Sequence, residues 1–250
     1  MLPSPQEGVR YIVSWQQHAN APVPHSIENR NDVEVYRFDL EGLSNNRNNS
    51  LDKCRGDIVL IADDDVEFDK GFSDKIRRSF IDNPDVDLGV FKVKFTKEKV
   101  YPESNCRLGI PLPKNYYCSS IEIAFRRENL SSLKFWAKMG LGNYYFQCGE
   151  DELFLISAIK RGLRCMFFNE EIAVHPSDST GNKVNDGILR GQGYIIGLIY
   201  PLSSIFRIPI KALRISRTKK IAFFPTLFQL GTGAWNSIFK WKNIPESSRW

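Results

Sequence analysis

Two short runs near the start of the chain carry the period of strands. Residues 9–15 are β-rich, and residues 32–38 alternate Val33, Val35 and Phe38 with charged positions, as a strand with one wet face does. Ala21-Pro22-Val23-Pro24 lies between them and predicts a loop, because two prolines within three residues remove donors and fix the backbone. A polar helix is expected from Gly42 and Ser44 through Lys53, closed by Gly56. Residues 57–62 are continuously apolar toward their end, the pattern of a strand buried on both faces of a parallel sheet. An amphipathic helix follows over 72–82, ended by Pro84, then strands over 86–95 and 119–125 separated by a polar, proline-containing excursion over 97–115. Leu153, Phe154 and Ala158 predict a helix over 150–161 with Gly162 as its cap, and short strands follow at 163–168 and 172–174. Alternating elements with short connections predict an α/β fold, a mostly parallel central sheet flanked by helices, with ligands at the carboxyl ends of its strands.

Beyond residue 186 the pattern changes. Apolar-aromatic stretches at 194–200, 205–213 and 221–241 are interleaved with Arg207, Lys211, Arg214, Arg217, Lys219 and Lys220. They predict a basic helical extension over 186–250 attached to an α/β domain over 1–185. The net charge of +5 is local. From Gly187 onward there are ten Lys or Arg against the single acid Glu246, so the tail carries +9 and the remainder −4. Basic residues beside aromatics suit a helix lying on anionic lipid, and equally a helix packed on the domain with a solvated basic face. The charge sits in an apolar tail with no reading motif, so no nucleic-acid partner is expected. The 250 residues suffice for one substantial domain. No apolar stretch reaches the length of a membrane span, and the first residues lack a signal-peptide core, which predicts a cytoplasmic protein, peripheral on the inner membrane face if the tail binds lipid. Cys54, Cys106, Cys118, Cys148 and Cys165 are odd in number and widely spaced, so neither a disulfide framework nor a zinc site is expected.

Candidate chemistry begins at Asp63, Asp64 and Asp65, where the apolar strand emerges into a loop. Carboxylates this close repel one another unless a cation sits among them. Mn²⁺ or Mg²⁺ bridging Asp63 and Asp65 to a diphosphate would neutralise them, although an acidic solvent-exposed turn has the same appearance. The chain has no G-x-x-x-x-G-K-[ST] to cradle phosphates, and a calcium loop fails because the sixth position from Asp63 is Phe68 where a sharp turn needs glycine. A second acidic word, Gly149-Glu150-Asp151-Glu152, stands at a helix start, where carboxylates also serve as caps. Its functional reading is a general base: Asp151 would accept the proton of an attacking hydroxyl, with Gly149 and Glu150 on the acceptor side.

These words together resemble the family 2 glycosyltransferases of the GT-A (nucleotide-diphospho-sugar transferase) fold, in particular the bacterial enzymes of capsule, exopolysaccharide and lipopolysaccharide assembly. The matching segments are Gly42-Leu-Ser-Asn-Asn-Arg-Asn48, Gly56-Asp-Ile-Val-Leu-Ile-Ala-Asp-Asp-Asp65, Gly140-Leu-Gly142, the 149–152 word and Val174-His175, in order and spacing across residues 9–175. The resemblance implies that Asp63 and Asp65 form the family's metal and nucleotide motif, that Arg47 and Asp64 lie beside the nucleotide, that His175 lies near the diphosphate or metal, and that Asp151 activates the acceptor. It further implies a nucleotide-diphosphate sugar donor, a UDP-sugar foremost, a glycan or lipid-linked acceptor and inversion at the anomeric carbon, with hexosyl or N-acetylhexosaminyl transfer as the activity. Two departures stand out. The run at 9–15 matches the family's second strand, so its first strand-helix unit has no counterpart here, and Trp15, Gln16 and Gln17 occupy the place of the base-reading acid. Gln16 or Gln17 could still hydrogen-bond a base edge. The departures also fit another reading, a noncatalytic GT-A-like protein that binds sugar or membrane.

Overall fold

The structure, a computed structural model, describes residues 2–16, 21–176 and 184–239. Strand β1 (Tyr11–Gln16) pairs in parallel with β2 (Val33–Phe38) across a loop that contains the one-turn helix α1 (His25–Glu28). Helix α2 (Leu43–Lys53) starts at Gly42, whose φ of 102° is open to glycine and strained for other residues. A second sheet is built from β3 (Ile58–Leu60), β4 (Glu67–Phe68), β5 (Leu88–Phe95), β6 (Cys106–Arg107), β7 (Ile123–Arg126) and β8 (Cys165–His175), in the order β3-β7-β5-β8-β4 with β6 also on β8. β7 runs opposite to both β3 and β5, and β5 runs with β8, so β3, β5 and β8 share one direction.

Most expected elements form within a residue or two of their sequence bounds. The segments at 163–168 and 172–174 fold differently: they are one strand, β8. The polar run Asn169-Glu170-Glu171 that suggested a break is accommodated by register shifts between Phe91, Lys92 and Val93 of β5. The short β4, β6 and α1 are too brief to carry a period.

Helices cover both faces of the second sheet. On one, Leu51 of α2 and Phe154, Leu155 and Ala158 of α4 (Glu150–Lys160) pack with Val59, Ile61 and Phe125. On the other, Phe72, Ile76 and Phe80 of α3 (Phe72–Asp82) meet Phe91, Val93 and Phe168. Completely burying one such aromatic contributes roughly 1.5–3 kcal/mol, so these two clusters dominate the fold's stability.

Three helices close the described chain: α5 (Asp186–Ile199), α6 (Ser204–Lys219) and α7 (Phe223–Phe239). Tyr194 and Leu198 of α5 share a core with Trp136, Met139, Phe146 and Ile156, so α5 is packed into the α/β unit. Helix α5 meets α7 at backbone distance: a Cβ on Gly193 would stand 2.0 Å from the Leu230 carbonyl oxygen, and one on Gly233 2.0 Å from that of Arg190. Among the described residues no helix is long and apolar enough to cross a membrane.

Candidate active site

Helix α2 turns Ser44, Arg47 and Leu51 inward, the spacing of one helical face. Its first turn is fastened to the loop at 139–142: Leu43 N–H donates to the Leu141 carbonyl at 2.9 Å and Ser44 Oγ to the Met139 carbonyl at 2.5 Å. Gly142 lies so near Gly42 that a Cβ on it would fall 2.8 Å from the Gly42 Cα, and a Cβ on Gly140 would fall 2.9 Å from the Glu150 Cδ. The expected word Gly140-Leu-Gly142 thus joins the starts of α2 and α4. Gly149, with φ 99°, opens α4 and sets Glu150, Asp151 and Glu152 in its first turn, where the helix dipole favours negative charge.

Arg47 is the centre of the site. Its Nη1 donates to Asp151 Oδ1 at 2.8 Å and its Nη2 to both Asp63 carboxylate oxygens at 3.0 and 3.1 Å. Glu150 Oε1 stands 3.8 Å from the same guanidinium. Burial works against the charge of Arg47, yet Asp151, Asp63 and Glu150 hold its pKa above the ordinary value. Burial also raises the pKa of Asp63, against the pull of Arg47. The Glu150 carboxyl is pushed up to about 8, first by burial and then by the adjacent Asp151, and Glu152 up to about 7 for the same two reasons. Part of the positive charge that the aspartate cluster requires is therefore supplied by the protein.

A second pair lies beside the first. β8 ends at His175, whose Nε2 is 3.3 Å from Asp65 Oδ1 and whose ring lies 5.5 Å from that of Phe95. Asp63, Asp64, Asp65, Asp151 and His175 all line one cleft. Among the described residues no group of three or more His, Cys, Asp or Glu side chains gathers as a metal site. The donor set of Asp65 and His175 nevertheless suits Mn²⁺ or Mg²⁺, which complete their shells with water and phosphate oxygens.

Gln16 does not aim its amide nitrogen into the cleft. Nε2 donates to the carbonyls of Leu40 and Gly42 at 2.6 and 3.2 Å and ties β1 to the start of α2. Gln17 lies outside the described residues. The sequence missed Lys211. Assigned there to a basic surface, it lines the same cleft, where burial lowers its pKa while Glu152 and Cys148 counteract. No local signal could have found it, since only the fold of the chain brings α6 to the cleft that holds the 149–152 word.

The sequence profile described as glycosyl transferase family 2 matches residues 17–140. Among curated proteins no sequence matches the chain. Among solved structures, S. aureus TarS 1-349 in complex with UDP-GlcNAc matches with a TM-score of 0.58 at 16% identity, covering 88% of this chain and 66% of that one. The same protein in complex with UDP gives 0.55 at 17%, covering 88% and 65%. A longer TarS chain gives 0.54 at 17%, covering 88% and 39%. This chain therefore spans less than two thirds of those neighbours' own length. They share its α/β fold, that of the GT-A transferases.

Proposed function

The chain belongs to glycosyltransferase family 2, and from that premise we propose that it transfers a sugar from a nucleotide-diphosphate donor to a hydroxyl of a glycan or lipid-linked acceptor, with inversion at the anomeric carbon. The observation that carries this reading is Arg47 holding Asp63 and Asp151, 88 residues apart in sequence, on one guanidinium. That contact brings the aspartate motif and the candidate base to a common point. UDP as the nucleotide and N-acetylglucosamine as the sugar are supported by what TarS binds in its complexes, and a role in bacterial surface polysaccharide assembly by the family resemblance.

In this mechanism the acceptor hydroxyl lies beside Asp151, which takes its proton as the oxygen attacks the anomeric carbon. The new carbon–oxygen bond forms as the bond to the diphosphate breaks on the opposite face, and the electron pair leaves with the diphosphate. Arg47 orients Asp151 through the ion pair at 2.8 Å. Asp65 and His175 would hold a divalent cation, which supplies charge stabilisation to the leaving group when bound. The carboxyl of Glu150, pushed up to about 8, is mostly protonated at neutral pH and adds little negative charge beside the base.

The test is nucleotide-sugar turnover, as transfer or slow hydrolysis, in Asp151→Asn. Loss of a general base lowers the rate by roughly 10²–10⁴, with nucleotide binding measured by calorimetry retained. Turnover at the parent rate would refute the mechanism.

A second surface bears on the acceptor. Leu202, Ile205, Phe206, Ile210, Phe224 and Phe228 of α6, α7 and their flanks are exposed, and Arg207, Arg214, Arg217 and Lys219 accompany them. The combination supports contact with an anionic membrane surface, where a lipid-linked acceptor resides.

A further inference from the structure

Helix α6 has two faces. Ser204, Ile208 and Ala212 are buried and Ile215 packs against the same cluster, whereas Ile205, Phe206 and Ile210 are exposed. Lys211 stands on the buried face, between Ile208 and Ile215 at the spacing of one helical stripe. A lysine on a core-facing stripe ordinarily has an acid beside it. Here the compensation is incomplete. Among the described residues Lys211 forms no ion pair. Glu152, the acid whose charge acts on it, has its own carboxyl pushed up to about 7 and is half protonated at neutral pH.

Lys211 opens instead into the cleft that holds Asp151, together with Ile188, Gln192, Ile195 and Ile196 of α5. Residues 188, 192, 195 and 196 share one helical face, so α5 presents an apolar wall interrupted by a single amide. The Oε1 of Gln192 is buried and accepts no hydrogen bond. An orphan acceptor of this kind is costly, and a donor from a ligand removes the cost. A cation, an unused acceptor and apolar surface are thus gathered on one wall. A sugar or polyol phosphate answers all three, with an oxyanion, hydroxyl donors and C–H faces. The acids of the aspartate motif are held elsewhere, Asp63 by Arg47 and Asp65 by His175, so the lysine lies on the acceptor side of Asp151.

We propose that Lys211 and Gln192 form an acceptor subsite for a phosphate ester: Lys211 pairs with the phosphate, Gln192 Oε1 accepts from a hydroxyl of the same molecule, and its reacting hydroxyl is thereby held toward Asp151. Such a phosphate is either the link between a lipid and its sugar or part of a soluble or polymeric sugar phosphate. The exposed apolar face of α6, on the same helix as Lys211, favours the lipid. The name acceptor rests on the transferase reading, whereas the anion site at Lys211 does not.

Competitive acetylation of the full chain by a trace of acetic anhydride, mapped by peptide mass spectrometry, reads Lys211 directly, with the exposed Lys53 as internal reference. A chelator is present in every arm but one. N-acetylglucosamine 1-phosphate should slow acetylation of Lys211 about fivefold or more relative to Lys53, while N-acetylglucosamine and glucuronate leave it unchanged. Farnesyl-diphospho-N-acetylglucosamine that protects at a concentration about tenfold lower identifies a lipid-linked phosphate, and equal potency identifies a soluble or polymeric one. Both results support the subsite. In Gln192→Leu the sugar phosphate should be needed at severalfold higher concentration, with protection by inorganic phosphate as in the parent. A Lys211 rate unchanged by both phosphate probes overturns the proposal, as does equal protection by glucuronate or parent-like protection in Gln192→Leu. Protection by UDP with Mn²⁺, in the arm without chelator, also overturns it, because Lys211 would then serve the donor diphosphate. No sugar transfer is read, so a negative result leaves the transferase reading untouched, and parent-rate turnover in Asp151→Asn would leave the anion site standing without its acceptor role.

Discussion

Arg47 is buried among three carboxylates, and its replacement separates two roles. Arg47→Ala leaves Asp63, Asp151 and Glu150 facing one another without compensation, and breaking a buried pair in this way costs about 3–5 kcal/mol. Urea denaturation checks that figure. Arg47→Lys should recover only part of it, because one ammonium cannot reproduce the fork that reaches Asp63 and Asp151 together. Glu150 carries a prediction of opposite sign. Its carboxyl titrates near 8 when folded, against an ordinary 4.5, so the folded chain binds more protons between those values. Stability from this group is therefore present below about pH 4.5 and lost as pH rises toward about 8. Glu150→Gln, neutral at every pH, should gain thermal midpoint over the parent at pH 8 and little at pH 5, as thermal scans across that range would reveal. An equal difference at both pH values would count against burial as the cause.

At the scale of elements, much was legible from period and punctuation. Helix α3 spans 72–82 as its amphipathic pattern and Pro84 require, and α2 and α4 begin where Gly42 and Gly149 permit. The acidic words were legible too, because short-range sequence places Asp63 at a strand exit and Asp151 at a helix start. What joins them was not. Arg47 meets Asp151 across 104 positions, and Lys211 shares a cleft with Glu152 only through the placement of α6, so no window of sequence contains either pairing. The close approach of α5 and α7 was hidden for a related reason: glycines in an apolar helix look like weak helix formers until a second backbone rests on them. Gly193→Ala inserts a methyl 2.0 Å from the Leu230 carbonyl oxygen. The helices must part, at about 1–3 kcal/mol, and the loss should appear in chemical denaturation with overall helix content retained by circular dichroism.

Across the whole molecule, basic and apolar groups segregate to α6 and α7 while acids gather at the cleft. Truncation at Gly187 would remove Tyr194 and Leu198 from the core, so the test of lipid contact is better made with Phe206→Ser and Phe224→Ser together, both exposed in the fold. Cosedimentation with phosphatidylserine vesicles should fall severalfold, with less change on neutral vesicles; equal retention by parent and variant would argue for a solvated surface instead. One strand also spans the molecule from the back of the core to the mouth of the cleft. Between Phe168 and His175 β8 takes seven steps while its partner takes four from Phe91 to Phe95, a surplus of three. Side chains alternate with a period of two, so an odd surplus inverts the strand's phase. Asn169-Glu170-Glu171 thus acts as a half-turn in a key: delete Glu170 alone, and His175 faces away from Asp65 while Cys165 through Phe168 keep their places.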